Sequence, residues 1–136
     1  MLFFVDPPNV TVTPSMLTEN VTFSAAVTCT VFAIPLPSIT WIKVVDGTVV
    51  TDEGSNGRVF INQTDSGDTR TSVLHFNPTV KPDESQYTCI AVNNITNVIF
   101  TPENDTVNLI IQGKWCNMIH HFNLNLFVIF TQCLLI

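Results

Sequence analysis

The chain has 136 residues, enough to bury one core and too few for two comfortable ones, so a single domain is expected. Five Lys and Arg stand against eleven Asp and Glu, a formal charge of −6, and that balance leaves no basic footprint for nucleic-acid phosphates. Thr, Val, Ile, Phe and Asn dominate while good helix formers are scarce, which predicts an all-β fold.

In chain order, MLFFV lacks a basic segment and meets Asp6-Pro7-Pro8, so it does not read as a signal peptide. VTVTP near the start is a short strand. VTFSAAVTCTV, residues 21–31, puts Val21, Phe23, Ala25, Val27, Cys29 and Val31 on one face, the pattern of a half-buried strand. IPLPS interrupts it, and SITWIKVV then runs to Asp46-Gly47, whose preference for positive φ predicts a tight hairpin into TVVT. RVFINQT and TRTSVLHF form a second predicted hairpin around DSGD, and QYTCIAVN and TVNLIIQ complete the set. Strands recurring about every ten residues predict a sandwich or barrel. After Gly113 alternation stops, and KWCNMIHHFNLNLFVIFTQCLLI is not expected to add a strand.

The four cysteines form an even count, which in an all-β chain of this size points towards disulfides and an oxidising compartment. Glycosylation sequons at Asn9, Asn20, Asn62, Asn94 and Asn104 point the same way, and an extracellular or cell-surface location is expected. DESQYTC, residues 83–89, gathers an acid, a hydroxyl, a phenol and a thiol. A catalytic Cys89 would need a base, yet His75 is the one histidine before the tail and alternation turns it outward beside Leu74 and Phe76. Cys116, His120, His121 and Cys133 match no recognised zinc spacing, so no metal, no cofactor and no enzymatic activity are expected.

The constellation of Cys29, Trp41 twelve residues later, Tyr87 and Cys89 resembles the immunoglobulin superfamily. It coincides with P-x-P-x-I-x-W at residues 35–41, L-x-F at 74–76, D-x-S-x-Y-x-C at 83–89 and C-x-A-x-N at 89–93, the last similar to the intermediate (I-set) subtype of adhesion and receptor ectodomains. The resemblance covers roughly residues 6–112 and implies an immunoglobulin-like β-sandwich of two antiparallel sheets with about seven to nine strands. It implies a Cys29–Cys89 bridge between inward faces, Trp41 and Leu74 in the core, Tyr87 locking a corner, and a salt bridge from Arg58 to Asp83. Ala33 replaces a glycine usual before the first proline, and the segment from 94 to 105 is longer than typical.

If Trp41, Tyr87, Cys89 and Ala91 face inward, then Ile42, Val44, Thr88, Ile90 and Val92 face outward, an apolar strip that predicts a contact surface for a protein partner, homophilic or heterophilic. The expected role is extracellular recognition in adhesion or within a receptor ectodomain. The alternatives are a spacer in a multi-domain array and a fragment of a signalling receptor such as a receptor tyrosine kinase. Residues 6–113 are expected to be the domain, with residues 1–5 and 114–136 as flanks outside it, and any membrane attachment is expected through segments beyond the domain. Two origins fit the flanks: a truncated anchor, since the apolar run from Phe122 is too short to span a bilayer, or translated intron, since Gln-Gly-Lys-Trp and Phe-Phe-Val-Asp can encode splice-site consensus at one codon phase.

Overall fold

In the computed structural model, residues 5–54, 57–95, 98–99, 102–113, 115–123 and 126–134 are described, with 94–95, 98–99, 115–123 and 126–134 described by backbone alone. The strands are β1 (Asp6–Thr13), β2 (Met16–Asn20), β3 (Ala25–Ile34), β4 (Ser38–Lys43), β5 (Thr48–Val49), β6 (Val59–Ser66), β7 (Thr69–Phe76), β8 (Ser85–Val92), β9 (Asn94–Ile95), β10 (Val98–Ile99), β11 (Glu103–Gln112), β12 (Trp115–Asn123) and β13 (Leu126–Leu134). One sheet has the order β1-β3-β7-β6 and a second has β2-β11-β8-β4-β5. Together they form the two layers of a β-sandwich.

Alternation drives the packing. In β3, Ala25, Val27, Cys29, Val31 and Ala33 are buried, and Val107, Leu109 and Ile111 from β11 meet them from the other sheet in one core cluster. Trp41, Leu74, Phe76 and Tyr87 fill its centre. Each such side chain contributes about 1.5–3 kcal/mol when fully removed from water. Trp41 also carries an N–H that cannot be left unpaired there, and it donates to Ser72 Oγ at 3.0 Å, a polar link inside the apolar layer.

Several local features differ from the sequence reading. The third strand starts at Ala25, because residues 21–23 form a turn: Val21 still packs against the core, Thr22 has φ 77° and donates its N–H to the Thr79 carbonyl, and Phe23 is left 58% exposed. The sheets are not wholly antiparallel. β1 pairs with β3 up to Thr13, Pro14 has no N–H to continue that ladder, and the chain crosses to the other sheet as β2, parallel to β11. Two prolines, Pro7 and Pro8, also lie in the register shift between Asp6 and Asn9 in β1.

The hairpin around Asp46-Gly47 has a four-residue loop, since Lys43 and Thr48 are the last paired residues, and only Gly47 takes the left-handed φ of 68°. At the other hairpin Ser66 pairs with Thr69 around Gly67-Asp68, with Gly67 at φ 58°. Contrary to expectation, the segment after Gly113 contains two strands: β12 and β13 pair antiparallel with each other in a separate two-stranded sheet. Their apolar residues are not confined to alternate positions, so the period-two signal that reveals half-buried strands is missing.

Candidate recognition surface

The reactive-looking stretch 83–89 is occupied with holding the fold. Cys89 forms a disulfide with Cys29, the Cα atoms 6.4 Å apart, and Trp41 sits directly opposite Cys89 on the neighbouring strand. Tyr87 Oη donates to the Asp83 carbonyl at 2.6 Å, closing a corner between the short 3₁₀ turn Lys81–Asp83 and β8. Burial, and then the nearby Asp83 carboxylate, push the Tyr87 phenol well above the usual tyrosine range. The Asp83 side chain is nearly buried; its Oδ2 accepts from Arg58 Nη1 at 2.6 Å and from the Val80 N–H at 2.7 Å. Leu74 is fully buried in the same core.

A shallow cavity of about 180 Å³ lies beside this corner, lined by residues that include Lys43, Val49, Arg58, Asp83 and Tyr87. Its charges are already engaged, Arg58 with Asp83 and Lys43 Nζ with the Pro82 carbonyl at 2.7 Å. His75 faces outward and stacks on Phe60, ring centroids 4.5 Å apart, away from Cys89. Among the described residues no group of three or more His, Cys, Asp or Glu is placed to hold a metal ion. Cys116, His120, His121 and Cys133 lie outside the described side chains.

Of the exposed large apolar side chains, Val44, Val45 and Val49 lie at the β4–β5 end of the five-stranded sheet, while Met16, Phe23 and Phe32 lie apart from them. Register aligns Ile42 with Thr88 and Val49, and Thr40 with Ile90, while Ser38 stands opposite Val92. Ile42, Thr88, Ile90 and Val92 are half-buried rather than exposed. The cause is lateral crowding: β8 is an interior strand, its outward side chains are flanked on both sides, and the hydroxyls of Thr88 and Thr106 bond to each other at 2.9 Å. Val44 is not on the strand at all. It opens the loop, 45% exposed, with its N–H still donating to the Gln86 carbonyl.

The sequence reading passed over Val45 and Val49, which are 72% and 57% exposed and sit with Val44 at the β4–β5 edge. A two-residue Asp46-Gly47 turn would set Val49 opposite Val44, whereas the four-residue loop sets it opposite Ile42. Asp46 shapes this hairpin by accepting from the Thr48 hydroxyl at 2.6 Å and its N–H at 3.1 Å, bonds that hold its carboxyl below the usual range.

The sequons are spread over both faces. Asn9 on β1 and Asn62 on β6 are exposed on the two edge strands of the four-stranded sheet, each one position out of phase with the buried residues. Asn20 ends β2 opposite Gln112, and Asn104 is exposed on β11. Asn94 begins β9, and its side chain lies outside the described set.

These features define a disulfide-bridged β-sandwich with a core tryptophan and a tyrosine corner. The profile of the immunoglobulin domain family matches residues 7–93, and the chain belongs to that family. No curated protein matches the chain. Among solved structures, the crystal structure of Dpr2 Ig1-Ig2 in complex with DIP-Theta Ig1-Ig3 is similar at TM-score 0.67 and 19% identity, covering 79% of this chain and 33% of that one. Titin domain M7 is similar at TM-score 0.62 and 18% identity, covering 80% of this chain and 97% of that one. The BTLA ectodomain is similar at TM-score 0.55 and 20% identity, covering 76% and 99%. The chain thus spans about a third of the Dpr2 and DIP-Theta chain matched and nearly all of the titin and BTLA ones. At these identities the likeness concerns the fold.

Proposed function

We propose that residues 6–113 form a non-catalytic, extracellular protein-recognition module of the I-set type, part of an adhesion molecule or receptor ectodomain, and that it binds its partner through the outer face of the five-stranded sheet. The observation that carries this reading is the exposed apolar cluster of Val44, Val45 and Val49 at the β4–β5 edge, continuous through Ile42 with Thr88, Ile90 and Val92. A spread of sequons over exposed strand positions and the Cys29–Cys89 bridge support passage through an oxidising, glycosylating compartment. Glycans on Asn9 and Asn62 would cover the four-stranded sheet from both edges, which favours the opposite face for contact. Dpr2 with DIP-Theta, and titin with telethonin, are similar folds found in protein–protein complexes.

The test is to express the chain through a secretory pathway, coat beads with it, and measure bead aggregation and binding to an array of ectodomains. Ile42→Asp and Val49→Asp should abolish any binding found while the melting curve stays cooperative. Undiminished binding by both folded variants would sink the assignment of this face.

A second reading, a spacer in a multi-domain array, is favoured by the near-complete match to single titin domains. It predicts free thiols at Cys29 and Cys89 and unoccupied sequons in the native protein, so thiol labelling and peptide mapping separate the two.

A further inference from the structure

The sequon at Asn104 occupies a place that the others do not. On β11, Val107, Leu109 and Ile111 point into the core, so Asn104, Thr106 and Asn108 point out. Register sets Asn104 directly opposite Ile90, and Thr40 lies on the far side of Ile90 in the same row. With neighbouring strands about 5 Å apart, Asn104 stands about 5 Å from Ile90 and about 10 Å from Thr40. The Asn104 side chain is exposed, and among the described residues no hydrogen bond holds its amide. β2 pairs with β11 only from Asn108 to Gln112, so at Asn104 the side of β11 away from β8 carries no β2 partner. An enzyme acting on the extended chain, before the sandwich closes, would meet this asparagine.

We infer that Asn104 is an N-glycosylation site whose glycan lies over Ile90 and Val92 and confines partner contact to the β4–β5 edge. In the transfer, Asn104 Nδ2 bonds to the anomeric carbon of the first N-acetylglucosamine of a lipid-pyrophosphate-linked oligosaccharide. The bond from that carbon to the pyrophosphate breaks, the lipid pyrophosphate leaves with the electron pair, and one amide proton is released, with no change in oxidation state. The attached sugar is bulky and hydrated, so the half-buried Ile90 strip faces carbohydrate instead of open water or a protein. Val49 is two strands beyond β8 and one row along, outside the region that the first sugars cover. The inference rests on the reading of this face as the contact surface, and it divides that face in two: a sugar-covered half around Ile90 and an open half around Ile42, Val44, Val45 and Val49.

The experiment uses the full chain secreted from a glycosylating host, its Asn104→Gln variant from the same host, and wild-type protein trimmed by endoglycosidase to one sugar per site. Peptide mapping should find Asn104 occupied. Carbene footprinting should label Ile90 and Val92 several-fold less in the fully glycosylated protein than in either of the other two, with Ile42 and Val49 labelled equally in all three. An unoccupied Asn104, or equal labelling of Ile90 with and without the glycan, overturns the inference, and the trimmed protein gives that answer even where the variant folds poorly. The function reading is tested separately, by the binding of the Ile42→Asp and Val49→Asp variants: masking of Ile90 without any binding through this face would leave the glycan site standing and remove the recognition role.

Discussion

Asp83 shows how much one side chain can organise. Its carboxylate ties Arg58 and the Val80 N–H, while its carbonyl takes the Tyr87 hydroxyl. Replacing it by Ala strands a backbone donor and a guanidinium that keeps part of its hydration, so Asp83→Ala should cost about 2–4 kcal/mol in urea denaturation. Tyr87→Phe removes one buried hydrogen bond and should cost about 1–2 kcal/mol. Tyr87 also predicts an alkaline limit. Its folded pKa is raised, so the stability linked to it is complete below the unfolded value near pH 10 and declines as pH rises above that. Melting temperatures of wild type should fall in that range, and Tyr87→Phe should flatten the fall. In acid the sign reverses. Asp46, Asp65 and Glu84 have lowered pKa values, through bonds to Thr48, Arg70 and Lys81 respectively, so the stability they lend is present above about pH 4 and lost as pH drops below it. A melt series from pH 6 to pH 2 reads this directly.

Elements were legible in the sequence wherever burial imposed a two-residue period, and obscure wherever backbone pairing alone held them. Ala25 to Ala33, Tyr87 to Ala91 and Val107 to Ile111 alternate because each has one face in the core. MLTEN in β2 has no such signature: none of its residues is fully buried, and its place comes from parallel pairing to β11. The apparent alternation of Val21 and Phe23 continued the pattern of β3 beyond its real start, which the contacts of the Thr22 turn with Thr79 determine. Alternation alone carries the strand past its end at Lys43 to Val44, and it gives no sign that Val45 and Val49 stand exposed. At this scale the inter-sheet bridge makes a quantitative prediction. It joins β3 to β8 across 60 residues, and on the chain-entropy account its reduction should lower stability by about 4 kcal/mol, visible as a shifted urea midpoint with and without reductant.

For the whole molecule, the nine strands of the two large sheets are built around one core, whereas among the described residues β12 and β13 pair only with each other. A chain ending at Gly113 should therefore melt at the temperature of the full chain, and a drop of several degrees would show that residues 114–136 belong to the folding unit. Asp105 joins the two layers more subtly. Its Oδ2 accepts the Val12 N–H at 2.8 Å, so a residue of β11 satisfies a donor on β1, the edge strand of the other sheet. Asp105→Ala should cost about 1–2 kcal/mol by the same denaturation measurement.

The crossing at Pro14 has a mechanical consequence. Because β2 runs parallel to β11, the beginning of β2 and the end of β11 lie at opposite ends of their shared ladder, which extends from Met16 with Asn108 to Asn20 with Gln112. Tension applied between the two ends of the domain would reach β1 first, and once β1 had left β3 it would load that ladder lengthwise, so its hydrogen bonds would have to shear together, not peel open one at a time. A change of sheet made at one proline thus places a shear-resistant joint just behind the strand where a pull on the chain would enter.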